Sequence, residues 1–113
     1  MAKTLKSLYR LHADLYRTVA HAKRLEILDL LREGECNVSE IARAMEVPAV
    51  NVSQHLAPLR GAGIVHTRRD GKTIYYRVSS ERILRAYDLM TELARELAAA
   101  RAEVVRRVDP RES

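Results

Sequence analysis

Asn37–Val78 reads NVSEIARAMEVPAVNVSQHLAPLRGAGIVHTRRDGKTIYYRV, and this stretch decides the fold. Val38–Met45 has the apolar spacing of a short helix, with Ile41, Ala42 and Met45 facing inward. Asn37 can cap it, and Glu40 stands where the return half of a capping box belongs. Glu46-Val47-Pro48 is a tight turn, and Pro48 suits the first turn of the next helix, where its missing N–H costs nothing. That helix runs from Ala49 to about Ala62, with Val52, Leu56 and Leu59 spaced for the core and Gly61 and Gly63 at its end. Ile64–Arg69 and Thr73–Val78 are rich in β-branched and aromatic residues. Asp70-Gly71-Lys72 between them carries a hairpin-turn signal.

The pattern extends in both directions. Leu5 to about Thr18 predicts a first helix through Leu5, Leu8, Tyr9, Leu11, Leu15 and Tyr16, and Arg24–Arg32 predicts a second, stopped by Gly34. Ser79 or Ser80 can cap a long last helix. On it Ile83, Tyr87, Met90, Ala94, Leu97, Arg101, Val104 and Val108 follow a four-three spacing, and only Arg101 interrupts the apolar stripe. The expected architecture is mainly α, more strictly α+β. It is a winged helix-turn-helix of five helices with a two-stranded β-hairpin wing, dimerising through the first and last helices. Residues 1–108 are read as one domain and 109–113, with Pro110, as a frayed tail.

Bulk properties narrow the function. The chain has 113 residues and a formal net charge of +5; hydrophobic residues make up 47% of it, with five Tyr but no Trp or Phe. So small a chain buries a limited core and gains from packing on a second copy. Positive charge favours an anionic partner, nucleic acid or a membrane surface. No apolar run approaches the roughly 20 residues that cross a bilayer. The start, Met1 to Lys6, has no signal-peptide core, and the lone Cys36 cannot form an internal disulfide. A cytoplasmic protein with no membrane partner is the expectation.

Within this frame the second helix of the pair is suited to a DNA major groove, whose base edges are read by short polar side chains. With Val52, Leu56 and Leu59 inward, Ala49, Val50, Asn51, Ser53, Gln54 and His55 are the expected base-reading set. Asn and Gln suit adenine edges, His and Ser suit bases or phosphate, and Val50 or Ala49 suits a thymine methyl. Arg60, Arg68, Arg69, Lys72 and Arg77 are the expected phosphate contacts, which set affinity and register without reading sequence. Pro58 falls inside this helix, removes the bond to the Gln54 carbonyl and is expected to bend it beyond the reading end. The expected partner is then double-stranded DNA. The alternative is a winged-helix module that binds protein and not DNA. An enzyme is not expected, because no nucleophile–base pair, phosphate loop or metal set is present.

The run Ala22-Lys23-Arg24-Leu25-Glu26-Ile27-Leu28, the run Asn51-Val52-Ser53-Gln54-His55-Leu56, the run Leu59-Arg60-Gly61-Ala62-Gly63-Ile64-Val65 and the wing from Arg69 to Arg77 together resemble the ArsR/SmtB family of bacterial repressors. The resemblance covers nearly the whole chain. It implies a homodimer, operator binding and relief by an inducer, often a metal ion. It also shows departures. Asn37 and Ser39 stand where members sensing arsenic, cadmium or lead carry a Cys-x-Cys pair. Residues 80–107 contain Asp88, Glu92, Glu96 and Glu103 but none of the His that zinc or nickel sensors use, and carboxylates alone suit zinc poorly. A sulfur-responsive branch uses two cysteines, where this chain has one. No cofactor is therefore expected and no metal at the usual family sites. The remaining sensor candidates are Cys36, activated by a helix N-terminus, and, ranked below it, a metal at His12 or His21. A metal site bridging two subunits could draw on His12 with Tyr16 and a carboxylate.

Overall fold

The computed structural model describes residues 2–108, with side chains from Thr4 onward. The expected frayed tail 109–113 lies outside the described residues. The elements run α1 (Ala2–Val19), α2 (Ala22–Leu30), a 3-10 turn (Leu31–Glu33), β1 (Cys36–Asn37), α3 (Val38–Met45), α4 (Ala49–Gly61), β2 (Val65–Asp70), β3 (Thr73–Val78) and α5 (Glu81–Val108). The chain separates into two compact units, the first ending at Glu81 and the second starting at Arg82.

In the first unit the capping box forms as the sequence predicts. The Asn37 side chain accepts from the Glu40 N–H at 2.8 Å, and the Asn37 N–H donates to the Glu40 carboxylate at 3.0 Å. The other end of α3 closes in a Schellman motif, with the Val47 N–H donating to the Ala42 carbonyl at 3.1 Å and the Glu46 N–H to the Arg43 carbonyl at 3.3 Å. Glu46 takes the left-handed conformation this turn requires, at φ 58°. Glycine would hold that conformation without a Cβ penalty, so Glu46 carries local strain.

Three elements depart from the sequence reading. Pro48 is the N-cap of α4, extended at ψ 145°, and not a residue of its first turn. Its ring fixes φ near the helical value but leaves ψ free to turn the chain out of α3. The loop of the hairpin is Gly71-Lys72 alone, because Asp70 pairs with Thr73. Gly71 has φ 62° and Glu46 is the only non-glycine at positive φ among the described residues, which makes the connection a II′ type turn with glycine first. The sheet has three strands in the order β1-β3-β2, where a two-stranded hairpin was expected. Cys36 and Asn37 pair antiparallel with Tyr76 and Tyr75. Two residues are too short a run to show strand periodicity, and Asn37 serves the ladder and the helix cap together.

The core of this unit draws Ile27 and Leu28 from α2, Leu31 from the 3-10 turn, Ile41 and Ala42 from α3, Val52, Leu56 and Leu59 from α4, then Ile64 and Val65 at the hairpin. The three α4 residues are those the spacing predicts. Met45 is half-buried. Helix α4 is continuous through Pro58 to Gly61. In the second unit, α5 has no buried residue. Its apolar positions Leu89, Met90, Leu97, Val104 and Val105 are exposed, and Glu103 pairs with Arg106 and Arg107 near its end.

Candidate nucleic-acid interface

The N-terminal half of α4 is the centre of the candidate site. A helix turns 100° per residue, so six residues spread over two turns cannot share one face. Val50 and Gln54 lie opposite the Val52–Leu56–Leu59 stripe and are exposed, as are Ala49 and Ser53. Asn51 and His55 fall on one shoulder and are half-buried. The expected six-residue reading set therefore divides into an outward group and a shoulder pair.

His55 is engaged within the protein. Its Nδ1 accepts from the Arg24 Nε–H at 3.2 Å, and the same guanidinium donates through a terminal nitrogen to the Thr18 carbonyl at 2.8 Å. The His21 ring lies 6.0 Å away, centroid to centroid. Burial, then the charges of Arg24, His21 and Lys23, hold the His55 imidazole below the ordinary histidine range. Arg24 was not singled out in the sequence. It is one basic residue among many, and its link to a residue 31 positions away has no local signal.

The wing divides its cations by the alternation of the sheet. Directly opposed residues of an antiparallel pair share a face. Arg69 opposes Ile74, whereas Arg68 opposes Tyr75 and Arg77 opposes His66. Arg69 is thus on the face that carries Val65, Thr67 and Tyr76, Arg68 and Arg77 are on the other, and Lys72 is at the tip. Arg68 has an internal partner. Its guanidinium grips both carboxylate oxygens of Glu35 and lies 4.9 Å from the centroid of the Tyr75 ring. That hydrogen bond is the main reason the Glu35 carboxyl falls below the usual range; the charges of Arg68 and Arg77 add to it. Arg69, Lys72, Arg77 and Arg60 are exposed.

The sensor candidates fare differently from their expectation. A helix N-terminus was expected to activate Cys36 by lowering its pKa. Burial, with a smaller contribution from the Glu40 carboxylate, raises it instead, so the thiol is held protonated. Cys36 precedes the cap residue and lies in β1, and the Asn37 side chain takes the Glu40 N–H at the start of α3. His12 Nδ1 lies 3.1 Å from the Tyr16 hydroxyl, one turn along α1, and His21 lies beside His55. Among the described residues no three His, Cys, Asp or Glu side chains converge to hold a metal ion.

Residues 21–67 match the family described as "Bacterial regulatory protein, arsR family". A solved winged helix-turn-helix domain, Mb0332 of Mycobacterium bovis, is described as homodimeric and as a possible ArsR-family transcriptional regulator. It superposes with a TM-score of 0.73 at 35% identity, over 80% of this chain and 84% of that one. The chain belongs to the ArsR family. Among its relatives, the HTH-type transcriptional regulator KmtR of Mycobacterium tuberculosis is 46% identical over 70 residues, 62% of this chain and 54% of KmtR. The transcriptional activator HlyU of Vibrio cholerae is 35% identical over 79 residues, 70% of this chain and 73% of HlyU. The chain thus spans about half the length of KmtR. The arsR match covers α2 through the first residues of β2, which contain the whole helix-turn-helix and the Arg24–His55 contact.

Proposed function

We propose that this ArsR-family protein is a sequence-specific DNA-binding transcriptional repressor that acts as a homodimer on duplex operator DNA in the cytoplasm. The observation that carries this reading is the outward face of α4. Ala49, Val50, Ser53 and Gln54 are exposed at the start of the second helix of the helix-turn-helix, the end that meets base edges when such a helix enters the major groove. Arg60 near the end of that helix and the exposed wing residues Arg69, Lys72 and Arg77 offer cations for phosphate. Arg68 is reserved by Glu35, so the reading assigns it to the wing's shape rather than to DNA. Asn51 and His55 take part from the shoulder of the helix. The names of the relatives support a regulator and not an enzyme. The homodimer reading rests on the exposed apolar residues of α5 and on the Mb0332 domain. Repression is the proposed direction because a dimer seated over a promoter excludes polymerase.

Fluorescence anisotropy on duplex DNA from upstream of the protein's own gene, against a scrambled duplex of equal length, tests the reading. Binding to the native duplex should be at least about a thousandfold tighter at physiological salt. Affinity that is equal on the two duplexes rejects sequence-specific recognition. In vitro transcription from the same fragment decides the sign, and a rise in transcript on adding protein rejects repression.

A further inference from the structure

We propose that Arg24 is a specificity-determining positioning residue that sets the hydrogen-bonding identity of His55, keeping its proton on Nε2 so that α4 presents a donor to base edges. The inference rests on the DNA-binding reading above and deepens it. A guanidinium has donors and no acceptor. The Arg24 Nε–H points at His55 Nδ1 across 3.2 Å, so that nitrogen offers its lone pair and the ring proton belongs on Nε2. A second bond holds the guanidinium in place: its terminal nitrogen donates to the Thr18 carbonyl at 2.8 Å. The fork is rigid and planar, so anchoring one arm at the end of α1 aims the Nε–H at the recognition helix. Burial and the positive surroundings from Arg24, Lys23 and His21 oppose a second ring proton. In the free imidazole the two tautomers exchange, and the ring could offer Nε2 as donor or as acceptor. Arg24 removes that ambiguity.

The consequence is a rule about bases. A donor at Nε2 suits guanine N7 and O6, adenine N7 or thymine O4, and opposes the amino groups at adenine N6 and cytosine N4. His55 should therefore favour an acceptor at one position of each half-site and reject cytosine there.

Nitrogen NMR of the imidazoles in the free protein reads the tautomer without DNA. Wild-type His55 should carry its proton on Nε2, and a proton on Nδ1 overturns the proposal. Arg24→Ala should return the ring to a mixture, and an unchanged Nε2–H signal overturns it equally. The DNA arm selects preferred sites from a randomised duplex library. Arg24→Ala should lose about tenfold discrimination at one base position in the His55 background. In a His55→Gln background, where the amide supplies its own donor, Arg24→Ala should change discrimination at that position little. A loss that is uniform over all sequences, or that persists in His55→Gln, assigns Arg24 to general structure and overturns the proposal. If the wild type selects no sequence while its tautomer is as stated, the DNA-binding reading fails and the positioning by Arg24 survives without a role in specificity.

Discussion

Helices α4 and α5 both repeat apolar residues at helical spacing, and they dispose of them in opposite ways. On α4, Val52, Leu56 and Leu59 are 1% exposed or less, covered by residues of the same unit. On α5, Leu97 is 62% exposed and Val104 59%. Both patterns state that a face is to be covered, and neither states by which chain. In α4 the cover comes from α2, α3 and the start of the hairpin, elements close in sequence and joined by short turns. In α5 the described residues include no buried one, so its apolar stripe lacks the cover that the α4 stripe has. One chain can thus carry two kinds of apolar stripe, one covered by its own core and one left exposed.

The largest expected effect separates the two. Leu97→Glu places a charge in the proposed seam between copies, where an uncompensated buried charge costs on the order of 3–5 kcal/mol. Sedimentation at micromolar protein should show a monomer for the variant and a dimer for the wild type; a wild-type monomer breaks the comparison at once. Leu59→Ala acts on the other stripe and should lower unfolding stability by about 2–5 kcal/mol in denaturant titrations. A loss below about 1 kcal/mol there would mean that the α4 core is looser than its burial implies.

Smaller effects test the polar face of α4 against the wing. Gln54→Ala should cost about 1–3 kcal/mol on the cognate duplex and relax base preference, whereas Lys72→Ala should weaken all sequences alike and reduce the salt slope by about one. Equal losses for Gln54→Ala on cognate and random DNA would remove it from base readout. The smallest effect is on pH. Unfolded His55 takes up a proton near its ordinary value of 6.5, while burial and neighbouring charge make the folded ring resist it. The unfolded state therefore binds more protons, and stability falls as pH drops below that value. Thermal melts between about pH 7.5 and about pH 5.5 should show a smaller loss for His55→Gln than for wild type. Parallel curves would assign the loss to other groups.

Much of this was legible in the primary structure because it is local. The capping box at Asn37 and Glu40 needs only three residues of spacing, and the hairpin only Asp70-Gly71-Lys72 between two strand-like runs. The inward set Val52, Leu56 and Leu59 follows from one helical period. The proposed reading face of α4 was legible only in part. Placing Ala49, Val50, Asn51, Ser53, Gln54 and His55 all on the face opposite Val52 ignored how far the 100° turn per residue carries Asn51 and His55 to the shoulder. The wing cations were legible as a charge cluster, but Arg68 could not be set apart from Arg69 until its partner was known.

By itself, then, the sequence determined the five helices and the two hairpin strands, their order, the helix-turn-helix with its wing, and the residue types on the outer side of α4. These depend on spacing, capping and turn chemistry within a few residues. Tertiary structure alone decided the third strand at Cys36 and Asn37, the raised pKa of Cys36, the grip of Glu35 on Arg68, and the bond from Arg24 to His55. Each of these joins residues far apart in the chain or depends on the burial that such pairing creates, and nothing in local spacing carries that information.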